Sequence, residues 1–377
     1  MFLNVARRKS NLTSLSYSRY RHFIRTDTCL SIDNEVFDKK MLSFWSKDSG
    51  KKDKTYEIIK PNILPKDHAE SIQNIVSAIP SHISLPEYAI SSIPEKEKKT
   101  NNDKLGINTL TVWNEDEIRC IRQSCQIAKE VLSTLSSLIS CHSQPTLSNS
   151  IIPKYGELND QKVLTTNDLN DIAHKMIISA NAYPSTLNFN GYPKSISTSV
   201  NNIAGHGIPD DRPLQTGDMI SIDVPVYYNG FHGDCAGTFI FGESNDIDGL
   251  HLLNSSKECL FAGIAACAPE APIRAIGHSI SKFSKRRGIK AIPNCCGHGI
   301  GKLLYCGETI FHVPNHYLGL MKAGNIFTIE PHITEGLSGI ELSGVDGFSV
   351  VTRDNSRVAI FGHTILITEY GVDILSL

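Results

Sequence analysis

From residue 114 onward the apolar positions repeat with periods that predict their own elements. Ile118, Ile121, Cys125, Ala128, Leu132, Leu135 and Ile139 recur at spacings of three and four, which is one face of a helix. Asn114, with Glu117 three residues on, is the reciprocal pattern that starts such a helix. A second helix is predicted over about 167–180, with Leu169, Ile172, Met176 and Ile177 inward. The Ser-, Asn- and Pro-rich stretch 140–164 between them reads as a surface loop. Apolar, β-branched runs then predict strands over 219–228 and 238–241. Helices follow over 250–267 and 272–287, and strands over 326–330, 348–352 and 358–368. This order predicts an α+β domain with helices on one face of an antiparallel sheet.

Upstream the periodicity fades. Residues 28–107 are polar, carry Lys-rich patches at 51–54 and 96–99, and are interrupted by Pro61, Pro65, Pro80, Pro86 and Pro94. They read as a linker that lies partly along the domain surface, with the prolines breaking any regular pattern. Residues 1–27 contain Arg7, Arg8, Lys9, Arg19, Arg21 and Arg25 and no acid before Asp27. Such a leader resembles an organelle transit peptide and points to mitochondria. A disordered basic tail on a cytoplasmic protein is the alternative. The organisation expected is therefore a transit segment 1–27, a linker 28–107 and a catalytic domain 108–377.

Composition narrows the function. The 37 basic and 39 acidic residues leave a net charge of −2, so no global field points to nucleic acid. No apolar run reaches the roughly 20 residues of a membrane-spanning helix. The ten cysteines form no repeated C-x-x-C pairs, which argues against a structural zinc module or a disulfide framework.

Three acids stand where an apolar strand should tolerate none. Asp223 lies in Ile220-Ser221-Ile222-Asp223-Val224, and Asp234 follows eleven residues later. Tyr228-Asn229-Gly230 between them predicts a hairpin turn, which would return both carboxylates to one place. Glu330 ends the apolar run Phe327-Thr328-Ile329. Buried carboxylates need compensation, and a metal ion is the usual one; solvated or helix-capping acids are the alternative. His298, set in Gly297-His298-Gly299-Ile300-Gly301, is a fourth candidate ligand among glycines that admit close backbone approach.

Taken in order, these stretches carry a resemblance. His206-Gly207-Ile208-Pro209-Asp210, Ile222-Asp223-Val224, Gly230-Phe231-His232-Gly233-Asp234, Gly297-His298-Gly299-Ile300-Gly301 and Phe327-Thr328-Ile329-Glu330-Pro331 resemble the type I methionine aminopeptidases of peptidase family M24. Tyr183-Pro184-Ser185 and Gly191-Tyr192-Pro193-Lys194-Ser195 belong to the same pattern, and the likeness runs from about 114 to 374. His206-Gly207-Ile208-Pro209 separates it from proline-specific relatives of that fold. The basic leader, with no Cys/His zinc region, makes the chain similar to the mitochondrial branch.

The resemblance implies a pita-bread fold, a pseudo-two-fold antiparallel sheet with helices on its outer face. It implies hydrolytic removal of initiator methionine from nascent polypeptides, near the ribosome, by a metal-activated water. Asp223, Asp234, His298 and Glu330 are implied metal ligands, with Asp234 bridging two ions. His206 is implied to contact the substrate and stabilise the scissile carbonyl. Thr186, Phe189, Tyr192, Ser197, Leu304 and Phe348 fall where the family lines its methionine pocket. The donor set suits Co²⁺, Mn²⁺, Fe²⁺ or Zn²⁺.

Two positions depart from the family. Gly362, in Phe361-Gly362-His363-Thr364, replaces a glutamate that bridges both metals. Read without a gap from His298, Tyr305 replaces a substrate-contacting histidine; Phe311-His312 fits that role only with an insertion and a compensating deletion. One ion would keep Asp234, His298 and Glu330, whereas the other would keep only Asp223 and Asp234. The expectation is one tightly held ion and reduced activity. The competing reading is an inactive pseudo-peptidase serving as a binding module. His232 and His363 remain open as groups beside the site or as structural residues.

Overall fold

The computed structural model describes residues 56–94, 110–141 and 164–377, all within the unit Lys54–Leu377. The transit segment 1–27 and most of the loop 140–164 lie outside the described residues.

The long helix Glu115–Cys141 begins where its cap predicts. Glu117 N–H donates to Asn114 Oδ1 at 3.0 Å, and Asn114 N–H donates to Glu117 Oε2 at 3.2 Å. Its inward face buries Ile121, Cys125, Ala128, Val131, Leu135, Leu138 and Ile139. Each Ile, Leu or Val among them contributes about 1.5–3 kcal/mol when fully buried. The helix Thr166–Ser179 is held at its start by a reciprocal Thr165–Asp168 cap.

The central sheet has six antiparallel strands. Ile326–Ile329, Gly362–Ile367, Cys235–Ile240, Met219–Asp223 and Ser197–Val200 lie side by side in that order, and Val372–Ile374 pairs with Gly362–Ile367. Register makes its two faces unequal. Ile220, Ile222 and Cys235 point into a core shared with the helices Glu115–Cys141 and Thr166–Ser179. Phe327, Ile329, Ile365 and Ile367 point into one shared with Ile247–Ile264 and Ala275–Arg287. Two helix pairs thus cover one face, one pair over each half, as the pattern predicted. The opposite face carries the site.

Three predicted elements differ from the structure. The run expected over 219–228 divides after Asp223: Val226–Tyr228 leaves the central sheet to pair with Tyr183–Pro184 and Phe231–Gly233. Pro225, which has no N–H to give a ladder, sits at the break. The run expected over 358–368 divides at Phe361, and Val358–Ile360 pairs instead with His332–Thr334.

The third difference is upstream. The segment 56–94 contains the helices His68–Ser77 and Tyr88–Ser91. Ile72, Val76, Ile83, Tyr88 and Ala89 are buried together with Tyr183 and Leu187. Its prolines stand in the connections on either side of the helices, where a missing N–H is harmless, and so do not prevent them. At its start Ile59 exchanges hydrogen bonds with the Asn202 side chain, at 2.6 and 3.0 Å. The segment is a strap held to the domain by buried contacts.

Candidate active site

Strand pairing alone assembles most of the site. Asp223 pairs with Ser197 on one side and with Ala236 on the other; Ala236 pairs with Gly362. Ile329 pairs with His363, so Glu330 follows beside Gly362. Ser197, Asp223, Ala236, Gly362 and Glu330 therefore form one row across the face opposite the helix pairs. Asp234, two residues before Ala236, projects from the same side. The hairpin that brings it back turns at Asn229 and Gly230, with φ of 49° and 85°. This is the left-handed pair that a two-residue turn needs.

His298 arrives from outside the sheet. A Cβ on Gly297 would lie 2.1 Å from the Thr328 carbonyl oxygen, so only glycine lets that strand approach. His298 N–H then donates to Thr328 Oγ1 at 3.0 Å, and His298 Nε2 lies 3.5 Å from Glu330 Oε1. Ligand atoms of Asp234, His298 and Glu330 all lie within 4.8 Å of one another. Asp223 lies outside that trio but its carboxyl interacts directly with that of Asp234.

Two threonines that the sequence reading passed over hold this arrangement. Thr328 Oγ1 donates to Glu330 Oε1 at 2.6 Å. Thr364 Oγ1 donates to the Asp234 carbonyl at 2.8 Å and accepts from Asp234 N–H at 3.1 Å. Each lies two residues from a site position on its own strand, and strand alternation was the signal that could have found them.

The electrostatics are those of a cluster of buried acids. Burial pushes the Asp223 carboxyl up to about 6 and Glu330 up to about 8, the latter helped by Asp223. Burial, then the Asp223 and Glu330 charges, hold Asp234 well above the carboxylate range. Burial lowers His298 to about 4, so it is neutral and able to ligate. Asp223 Oδ1 and Asp234 Oδ1 are buried with no hydrogen-bond partner. Oxygens left so cost free energy unless a cation compensates them, and this donor set fits one.

A pH dependence follows. Glu330 keeps its proton in the folded state up to about 8 but releases it near 4.5 when unfolded. The folded state then holds more protons, so stability falls as pH rises through this interval. Buried His232, His298, His312, His332 and His363 act oppositely, but only below their ordinary value of 6.5. Between pH 6.5 and 8 the carboxyls therefore dominate. Metal-free protein is expected to lose on the order of 1 kcal/mol per pH unit there. Thermal unfolding in chelator at pH 6.5, 7.25 and 8 checks this. A flat or rising melting temperature contradicts it, and saturating Mn²⁺ should abolish the decline.

The remaining predicted residues surround the carboxylates. His206 is exposed to the cleft, and its backbone is left-handed at φ 53°. It lies close enough to His298 for their charges to oppose each other. Tyr305, 48% exposed, sets its ring 4.1 Å from that of His298 and 5.4 Å from Phe189. Tyr192 and Phe348 meet edge to face at 5.5 Å, and Leu304 is buried. Thr186 Oγ1 is engaged by the Lys194 carbonyl at 3.0 Å.

The two alternatives for the substituted histidine are separated by burial. His312 is fully buried behind Glu330: its Nε2 accepts Glu330 N–H at 3.3 Å, while Nδ1 lies 3.1 Å from the Cys295 carbonyl. It supports the strand end and has no open face. Tyr305 is the residue on the cleft side. His232 is enclosed by Ser185 Oγ at 2.8 Å and by the rings of Tyr88 and Tyr227. His363 faces away from the site, with Nδ1 2.9 Å from Ser376 Oγ and its ring 6.2 Å from that of Phe261.

The fold agrees with comparisons to known proteins. The sequence pattern of metallopeptidase family M24 matches residues 119–369, and the chain belongs to that family. Divalent-metal binding comes with it. Within the family the likeness is to methionine aminopeptidases. The chain is 38% identical over 298 residues to the human mitochondrial methionine aminopeptidase 1D, covering 79% of each. It is 36% identical over 299 residues to methionine aminopeptidase 1 of Dictyostelium discoideum, covering 79% of this chain and 74% of that one. Its fold matches the crystal structure of methionine aminopeptidase from Rickettsia prowazekii with a TM-score of 0.64, at 32% identity, covering 71% of this chain and 100% of that one.

Proposed function

We propose that this chain removes initiator methionine from nascent polypeptides with a single tightly held divalent ion, at a reduced rate. One observation carries the reading: Asp234, His298 and Glu330 converge within 4.8 Å beside two orphaned carboxylate oxygens. The likeness to methionine aminopeptidases favours this reading over a pseudo-peptidase serving as a binding module.

Asp234, His298 and Glu330 would hold the ion, with Asp223 held against Asp234. A bound divalent ion supplies Lewis acidity and lowers the pKa of a coordinated water. The chain's residues do the rest. Phe189, Tyr192, Leu304, Tyr305 and Phe348 offer an apolar slot suited to a thioether. His206 stands in the cleft to donate to the scissile carbonyl. Tyr305 can still donate a hydrogen bond but stays neutral near pH 7 and reaches differently, and misplacing a positioned donor would cost up to about 10²–10³ in rate. No described helix is long and apolar enough to cross a membrane.

The test is metal content together with turnover. Reconstituted with Mn²⁺, the protein is expected to bind one ion per chain tightly and to cleave Met-Ala-Ser slowly, with chelation abolishing cleavage. Two equally tight ions would sink the single-metal reading. Metal binding without turnover would sink the enzymatic one. We place the protein in mitochondria, with the cytoplasm as the alternative. The acid-free basic leader and the mitochondrial naming of its human relative support this. Import and cleavage of the leader by isolated mitochondria decides between the two compartments.

A further inference from the structure

The strap between residues 56 and 94 reaches the pocket through one small turn. The turn 188–191 carries Phe189, which meets Tyr305 at 5.4 Å, and leads directly into Tyr192, which meets Phe348 at 5.5 Å. The conformation of this turn sets the distance between those walls. It is an unusual conformation: Asn188, Asn190 and Gly191 are all left-handed, with φ of 60°, 51° and 81°. Asparagine tolerates this region better than other non-glycine residues, so its neighbours decide whether the turn keeps it.

The strap supplies those neighbours. Asn188 is 1% exposed, and both ends of its amide are engaged from the strap. Its Nδ2 donates to the Ala89 carbonyl at 2.8 Å, and its Oδ1 accepts from Ser92 Oγ at 2.8 Å. Tyr88 packs edge to face on Phe189 at 5.0 Å and stacks on His232 at 6.2 Å. The Tyr88 hydroxyl donates to the Ser185 carbonyl at 2.6 Å. A continuous series of ring contacts therefore runs from Tyr88 through Phe189 and Tyr305 to the candidate ligand His298.

We propose that the Tyr88–Ser92 strap is a specificity-determining element, which fixes the width of the methionine slot by clamping the Asn188–Gly191 turn from behind. None of these strap residues touches the reacting atoms; they are positioning residues. The inference rests on the aminopeptidase reading, because it takes the Phe189–Tyr192–Tyr305–Phe348 enclosure as the methionine slot. If the clamp is released, the turn can relax from its left-handed angles. Phe189 then loses its backing, and the slot widens. An unbranched thioether loses contacts in a wider slot, whereas a branched side chain is admitted. The predicted signature is therefore a changed ratio between ligands, which a general loss of stability would not give.

The experiment uses the full chain loaded with Mn²⁺ and measures binding of methioninol and leucinol by calorimetry. One branching difference in an apolar slot is worth about 10-fold or more, so the unmodified protein should prefer methioninol by about that factor. Tyr88→Ala should reduce the preference at least about threefold, with Mn²⁺ stoichiometry unchanged. Tyr88→Phe, which keeps the ring, should retain the preference. Tyr88 is buried, so a gentler variant is needed beside it. Ser92 has φ of 61°, which glycine adopts freely, so Ser92→Gly deletes only the hydroxyl that engages Asn188. It should shift the preference in the same direction. Parallel losses for both ligands, or an unchanged ratio in Ser92→Gly and in folded Tyr88→Ala, would show that the strap is structural only. If the unmodified protein does not prefer methioninol, the aminopeptidase reading itself fails, and this inference fails with it.

Discussion

Asp234→Asn is expected to abolish turnover while making the metal-free protein more stable. The two effects have one cause. Asp234 is buried, its Oδ1 has no partner, and the charges of Asp223 and Glu330 oppose its ionisation. Asparagine keeps the shape and removes the acid, so Asp223 and Glu330 lose a neighbour of their own sign. The gain should be smallest at low pH, where the acids are already protonated. It should grow toward pH 8 to on the order of 1–2 kcal/mol, the equivalent of about one pKa unit. The functional loss is larger. Asp234 is the residue that both the metal trio and Asp223 depend on. Losing the ion removes several kcal/mol of transition-state stabilisation, about three orders of magnitude in rate. Calorimetry in chelator and kinetics in Mn²⁺ check both parts. Asp116→Asn, at an acid that is 82% exposed, is the control that should change neither. A destabilised metal-free Asp234→Asn, or one that turns over normally, contradicts the assignment.

What the sequence could show depended on how local each signal was. The helix Glu115–Cys141 was legible because seven apolar positions and a reciprocal cap agree within one segment. Asp223 and Glu330 were legible because a charge at the end of an apolar strand is anomalous without any partner in view. The breaks at Pro225 and Phe361 were harder to read. Apolar character continues through both, and only pairing with a second sheet reveals that the chain has changed partners. The strap was misread because its prolines fall between short helices, and its burial depends on Tyr183 and Leu187, about a hundred residues away. Thr328 and Thr364 lay within reach of strand alternation, since each is two residues from a site position. The same alternation turns His363 away while its neighbour Gly362 faces the carboxylates. Ungapped spacing from His298 already pointed to Tyr305, and the burial of His312 behind the Glu330 backbone agrees with it.

Gly362→Glu is expected to raise Mn²⁺ stoichiometry from one to two and to cost stability in the metal-free state. The row Asp223–Ala236–Gly362–Glu330 has an acid at each end and two positions without one, and Gly362 is the one beside Glu330. A carboxylate there would join Asp234 and give the poorly supplied second ion a third protein ligand. The space is narrow, however. A Cβ at 362 would lie 2.9 Å from the Cβ of Glu330 and 3.3 Å from that of Ala236. The nearer atom is rooted on a strand and has no flexible end to swing away, so the strand itself must shift by some tenths of an ångström. Overpacking of this kind costs about 1–3 kcal/mol, and a fourth buried acid adds repulsion until metal arrives. The variant should therefore melt below the unmodified protein in chelator and above it in saturating Mn²⁺. Turnover should rise, though incompletely, because Tyr305 still presents a phenol to the substrate. Gly362→Glu with Tyr305→His should recover more, by about the 10²-fold value of a positioned donor. That second change also replaces the phenol ring that backs against Phe189 with a smaller imidazole, so its benefit should appear in kcat and part of its cost in KM. If Gly362→Glu still binds one ion, the strands have closed over the position. The site is then mononuclear by backbone geometry and not merely by loss of a side chain.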